Sequence, residues 1–361
     1  MYTQEQHRAK QCWWWLLISI SAWFAFTSVN VHAQENGLRF DVTPIFSENQ
    51  KEDENSFFYV CLEPGAKEKI GFVLHNNSNE SIFLSISAHT AYTNLHGVIE
   101  YGSDAENPDA SLLEPINQML SVPGDIELAP METKEVIITL TMPTKEVEGI
   151  LAGGIRIEEV FEKDLLKEDT ALALQNSFAY VIAVLASNKE VDLGTFESSN
   201  PLQIQDIYPN QVNYRNVITV DIQNPQPIFI DQLSVTAEVY HQDSEEVLYQ
   251  AKKDNMQLAP NSHIPFPIYL DGERFEPGTF IMKLSAFLGE DQWTWEREFT
   301  IDGPEASTFN AKDVSIKTAI SLTWEMMAII CICGAGSLGW LYYKQRKNRK
   351  YLKKYKGEEN E

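Results

Sequence analysis

Apolar and polar residues alternate with a period of two along most of this chain, the period of an extended strand with one buried face. Leu233-Ser-Val-Thr-Ala-Glu-Val-Tyr240 shows it cleanly, with one face apolar and the other polar. Val136-Ile-Ile-Thr-Leu-Thr-Met142 is dense enough in β-branched residues for a central strand. Similar runs lie at 57–62, 70–75, 82–88, 181–185, 217–222 and 280–287, separated by Pro, Gly and Asn turns. The pattern predicts an all-β protein of two tandem immunoglobulin-like antiparallel β-sandwich domains, over 34–188 and 189–303. In the first, Pro64-Gly65 and Asn76–Asn79 read as turns and Gly102 to Gln118 as a long loop. Phe161 to Glu168 is the one helical-looking piece, an excursion between strands. Each unit also carries a proline phrase before a strong strand, Leu128-Ala-Pro130 in the first and Leu258-Ala-Pro260 in the second. By itself that phrase speaks of fold, where a proline turn swings the chain between sheets.

Two stretches break the strand pattern. Met326 to Tyr343 holds no charged residue and, at 1.5 Å per helical residue, spans roughly 27 Å, close to the hydrocarbon core of a bilayer. Trp324 and Trp340 to Tyr343 flank it as interfacial aromatics, and Lys344 to Lys350 follow as a basic block that marks the cytoplasmic side. The expectation is a single transmembrane helix over 318–343 with a cytoplasmic tail at 344–361; a buried core helix is the plainer alternative. At the other end, Arg8 and Lys10 precede an apolar run from Trp13 to Phe26 and a Val31-His-Ala33 cleavage site. That is the layout of a signal peptide over 1–33, although the apolar run would also serve as a first membrane span. Both units are then extracytoplasmic, tethered by a linker over 304–317. No Leu-Pro-x-Thr-Gly sorting signal precedes the span, so the chain is expected to stay in the membrane.

Charge sharpens this. Residues 34–317 hold 18 Lys/Arg against 47 Asp/Glu, a net charge of −29, which disfavours nucleic acid and anionic lipid as partners. Cys12 and the pair Cys331 and Cys333 fall in the two apolar ends, leaving Cys61 alone outside, with no intrachain disulfide to make. An exported chain of this length without disulfides reads as bacterial and Gram-positive. Cys61 sits in an apolar run and is expected to be a small buried hydrophobe.

Catalytic patterns are missing from the sequence. Histidines 75, 89, 96, 241 and 263 form no H-E-x-x-H pair, and no G-x-S-x-G elbow occurs outside the apolar end. Gly334-x-Gly336-x-x-Gly339 matches a dinucleotide fingerprint only formally, inside the predicted span. No catalytic residue, metal site or cofactor is expected. What remains is surface suited to binding. Thr90, Tyr92, Thr93, Asn94 and Tyr101 form a hydroxyl-rich connection with two aromatic rings, the equipment that pairs with sugar hydroxyls and stacks on sugar rings. The same residues would equally make a structural hairpin turning at Asn94-Leu-His-Gly97. In the second unit Asn224-Pro225-Gln226-Pro227 ends a strand in a rigid turn and is the candidate partner-docking face. Trp293 and Trp295 alternate on one strand and read as core.

These phrases occur together in a known order. Val42-Thr-Pro44, Asn76-Asn-Ser78, Thr90 to Asn94 with Gly97 to Tyr101, and Gly153-Gly-Ile155 are followed by Gln223 to Pro227, Asn255 to Ser262 and Pro277-Gly-Thr279. With them the chain resembles the WxL-interacting surface proteins of Gram-positive bacteria, which join a peptidoglycan-binding domain to a host-binding domain. The resemblance implies a non-enzymatic, membrane-anchored surface scaffold, with peptidoglycan, a secreted WxL-domain protein and host surface or matrix components as partners. It carries over no catalytic residues. The rivals are a wall-processing enzyme, which would clear a peptidoglycan gel, and a direct host-matrix adhesin, which would be open to antibody on intact cells.

Overall fold

The computed structural model describes residues 38–51, 56–160, 178–191, 202–316, 335–344 and 346. The predicted signal peptide, the helical-looking piece at 161–168 and most of the predicted span lie outside them. Among the described residues no helix is long and apolar enough to cross a membrane.

The first unit is built from two sheets. One has four strands in the order β1 (Phe40–Ile45), β3 (Lys67–Asn76), β9 (Thr133–Thr141), β7 (Leu120–Ser121). The other has five, in the order β2 (Phe58–Cys61), β11 (Ala179–Ser187), β10 (Ile150–Val160), β4 (Ile82–Thr90), β8 (Asp125–Leu128). Alternation does what it predicts: Phe72, Leu74, Ile138 and Leu140 of the smaller sheet meet Leu84, Ile86, Ile155, Ile157 and Val184 of the larger in one core. Pairing is antiparallel except between β2 and β11, which run parallel, a departure from the all-antiparallel expectation. Cys61 ends β2 half-buried and unpaired rather than in the core. A small hairpin, β5 (Tyr92–Thr93) and β6 (Ile99–Glu100), leaves the end of β4.

The second unit packs β12 (Gln203–Val212), β13 (Arg215–Asn224) and β16 (Ser262–Tyr269) against β15 (Val247–Leu258), β14 (Ile230–His241), β17 (Gly278–Leu288) and β18 (Asp291–Ile301). Its core joins Ile218, Val220 and Ile222 to Val235, Val239 and Leu284, with Trp293 and Trp295 half-buried at its edge.

Where a linker was expected, the structure has helix α1 (Gly303–Lys312) fixed to the second unit. Pro304 at its first turn suits the helix start. Ala306 is buried and Phe309 lies against Phe275 at 5.8 Å between ring centres. Asn310 exchanges hydrogen bonds with the Phe275 backbone at 2.8 and 2.9 Å, and the Asp313 carboxylate accepts from the Asn216 amide at 2.7 Å. Val314 N–H still donates to the Tyr214 carbonyl, so the chain leaves the second unit only after that point.

Candidate functional site

Thr93 and Tyr101 of the first candidate set and the Asn224–Pro227 turn of the second come together at the joint between the units. A third apolar cluster fills it: Tyr59, Ala91, Ile150, Ala152 and Leu185 from the first unit close on Ala259 of the second, with Tyr101 and Phe229 packed alongside. Around this apolar centre the backbones are tied directly. Ile150 N–H donates to the Pro227 carbonyl at 2.7 Å, and Gln257 N–H to the Gly97 carbonyl at 2.8 Å. Gly149 has φ +77° and lies hard against the Pro227 carbonyl and ring, a position that admits no side chain. Bonds and packing of this kind hold the two units in one orientation.

Thr93 is the centre of the polar part. Its Oγ1 accepts from Ala259 N–H at 2.9 Å and shares a hydrogen bond with Ser262 Oγ at 2.9 Å, and the residue is 2% exposed. Thr90 is also buried, its Oγ1 accepting from Asn117 N–H at 3.2 Å. Asn94 forms the hairpin turn foreseen as the alternative reading: its Oδ1 accepts from His96 and Val98 N–H, and its amide donates to Glu100. Tyr92 keeps part of its surface and its hydroxyl lies 3.3 Å from Ser103 Oγ. Burial in the joint pushes the Tyr101 phenol up to about 12. Of the five, Thr90 and Thr93 are buried, while Tyr92, Asn94 and Tyr101 keep part of their surface.

Asn224 has none. Its amide donates to the Ile228 carbonyl at 2.8 Å and the Ala259 carbonyl at 2.9 Å, while its Oδ1 accepts from Gln226 N–H at 3.2 Å. Gln226 is buried as well, and Pro225 and Pro227 are partly covered. The turn is therefore docked on the first unit. Asn76 makes the same closure there: its amide donates to the Glu80 and Ala129 carbonyls, both at 2.8 Å, and its Oδ1 accepts from Ser78 N–H at 2.9 Å. Two residues beyond each alanine, Met131 and Asn261 take positive φ and donate to the Ser78 and Gln226 carbonyls. The asparagine turns and the Leu-Ala-Pro phrases are thus two halves of one clasp, used once in each unit.

A polar lock lies beside the joint. Asp109, from the long loop of the first unit, is buried against the second: Gln223 Nε2 donates to its Oδ1 at 2.7 Å and His263 Nδ1 lies 3.1 Å from its Oδ2. Burial disfavours the Asp109 charge, but hydrogen bonds from His263, Ser111 and Gln223 outweigh it and hold the carboxyl well below the usual carboxylate range. The hydrogen bond with Asp109 raises the His263 pKa against the opposing effect of burial, and Asp221 adds to the rise. Asp221 itself is raised by burial. Only the Asp109-Ala-Ser111 turn marks this residue in the sequence, since its partners lie more than a hundred positions away.

A second polar group covers the outer face of the five-stranded sheet. His89 bridges Ser87 Oγ at 2.8 Å and Asp104 Oδ2 at 3.0 Å, and Asp104 Oδ1 also holds Thr90 N–H and Asn117 Nδ2. On the neighbouring strand Arg156 stands opposite Ser87, donating to Glu158 at 2.6 Å and to the Gly102 carbonyl at 3.2 Å. This face offers charged and hydroxyl groups to solvent without a deep pocket. Among the described residues no cluster of His, Cys, Asp and Glu could hold a metal ion.

Solved structures similar to the chain include the class 5 fimbriae chaperone CfaA, at 14% identity over 72% of this chain and 98% of that one, with a TM-score of 0.28. The E. coli chaperone DraB is 11% identical over 69% and 96%, at 0.26. The PapD-like domain 7 of human CEP192 is 12% identical over 45% and 94%, at 0.27. No curated protein matches the chain. Two family matches do, and in order. Residues 40–159 match the peptidoglycan binding domain of the WxL Interacting Protein, and residues 169–311 match its host binding domain. The second match begins before β11, although that strand pairs with β10 and β2 in the first unit. The two matches run through most of the chain in the family's own order, and the chain belongs to the WxL-interacting proteins.

Proposed function

We propose that the chain is a non-enzymatic scaffold of the Gram-positive cell surface, made of two immunoglobulin-like units that bind different things. A signal peptide over 1–33 exports it, a helix over 318–343 keeps it in the membrane, and the tail at 344–361 stays in the cytoplasm. The first unit contacts peptidoglycan. The second docks a secreted WxL-domain protein or a host surface component. The observation that carries this reading is the ordered pair of binding domains joined through a bonded, apolar interface.

For the wall-binding surface, the outer face of the five-stranded sheet is the best support. Ser87, His89, Arg156 and Glu158 lie side by side there, next to the hairpin that presents Tyr92 and Asn94. Hydroxyl, imidazole and guanidinium groups suit sugar hydroxyls and the carboxylates of stem peptides. The joint residues Thr93, Tyr101 and Asn224 to Pro227 serve the scaffold by setting the angle between the two binding units.

Full-length protein mixed with insoluble peptidoglycan should sediment with it, and Arg156→Ala combined with His89→Ala should reduce the bound fraction. Protein that stays in the supernatant like an unrelated acidic control would remove the wall assignment. A clear zone on a peptidoglycan gel would favour the wall-processing rival instead.

A further inference from the structure

We infer that the cleft between the two units, beneath the tip of the β5–β6 hairpin, is a binding site for an acidic sugar. This goes beyond the wall-binding reading, because it uses other residues, most of them on the second unit.

The cleft has a volume of about 310 Å³, within the range of small-ligand sites, and it sits at a domain boundary where such sites concentrate. Leu95 and His96 of the hairpin form one wall. Lys253, Pro267, Tyr269 and Asp271 of the second unit form the other. The joint sets the spacing of these walls: Gln257 N–H is bonded to the Gly97 carbonyl, and Gly97 lies against Met256. The site is therefore in place before any ligand arrives.

Its chemistry is unlike its surroundings. In a stretch carrying a net charge of −29, the cleft places Lys252, Lys253 and His96 together. Lys252 pairs with Asp254 at 3.3 Å, whereas Lys253 has no ion pair among the described residues. Lys253 stands opposite Val235 in the β14–β15 register and is half-buried, so its ammonium faces the cleft with part of its surface open to an anion. A carboxylate supplies that anion. Tyr269 is 38% exposed, and with Pro267 it gives a flat apolar surface of the kind that stacks on the C–H face of a pyranose ring. Asp271 at the rim adds an acceptor for sugar hydroxyls. A cation, a stacking face and an acceptor around one ring-sized space select a sugar acid over a neutral sugar.

The test is calorimetry on the full chain with a glucuronate-terminated disaccharide and with its methyl ester, which keeps the shape and loses the charge. The acid should bind, weaken as salt is raised, and lose about tenfold or more in affinity in Lys253→Gln and in Tyr269→Ala. The ester should bind no better than glucose. Equal binding of acid and ester would overturn the proposal, as would unchanged affinity in Lys253→Gln or no heat from the acid up to about 10 mM. Peptidoglycan sedimentation by the same variants should be unaffected, so the two readings fail separately.

Discussion

Asn76 and Asn224 close their units with the same bonds, but one closure faces solvent and the other receives a domain. In the first unit Ala129 N–H is satisfied from within, by Glu132 Oε2 at 2.7 Å. In the second, the equivalent Ala259 N–H is satisfied from outside, by Thr93 Oγ1. One module therefore has its end capped by its own side chain, and the other takes its cap from its neighbour. Tandem units need both kinds of end, for the reason that repeat arrays need terminal caps. A buried donor left open costs roughly 1–3 kcal/mol, enough to make the docked end favour its partner strongly.

Removing each asparagine in turn has the largest expected effect. Asn76→Ala and Asn224→Ala each strand buried carbonyls and should cost about 3 kcal/mol in urea unfolding. Only Asn224→Ala should also open the joint, seen as new protease cleavage between the units. Equal cleavage in both variants would mean that the clasps do not differ in role. Next in size is Gly149→Ala, which combines a left-handed backbone with a clash against Pro227 and should cost more than about 2 kcal/mol. Gly124→Ala has the same backbone sign and open space around it, so it should cost only about 1 kcal/mol. Thr93→Val keeps shape and loses the acceptor, for about 1–2 kcal/mol, while Glu132→Gln keeps an acceptor in the first unit and should stay within about 0.5 kcal/mol.

The smallest effect is with pH. The raised His263 contributes stability that is complete below its ordinary value of 6.5 and is lost as pH rises through its higher folded value. The depressed Asp109 contributes above its ordinary value of 3.8 and loses that as pH falls below it. The lock is therefore strongest between roughly pH 4 and 6.5. Once pH passes the raised folded value of His263, the neutral imidazole leaves Asp109 and Asp221 to repel each other. Asp206 and Tyr208 face the same group, with Tyr208 pushed up to about 12 by burial and by Asp221. Unfolding followed across pH in Asp109→Asn and His263→Gln should show this dependence flattened; an unchanged profile would assign it elsewhere.

Much of the fold was legible because strands announce themselves by alternation. The alternating run at Leu233 became β14 with its apolar face inward, and the dense run at Val136 became β9, an interior strand of its sheet. Helix α1 was not legible, since Ala306 and Phe309 alone supply its apolar contacts with the second unit and no repeating apolar face runs along its ten residues. The parallel pairing of β2 with β11 joins segments more than a hundred residues apart and leaves no local mark. At the joint, the turn residues and proline phrases were visible as separate features. Their union was not, because Asn76 reaches Ala129 across 53 positions and Thr93 reaches Ala259 across 166. Hydroxyls and asparagines that look like sugar-binding equipment in a sequence were here used to satisfy buried backbone.

The bonds and packing at the joint make the two units one rigid body. Residual dipolar couplings on backbone amides of the full chain report on this. A single alignment tensor should fit amides of β3, β9 and β10 together with those of β13, β14 and β17, and Gly149→Ala should split it in two. Separate tensors of different magnitude in the unaltered protein would mean that the units move independently.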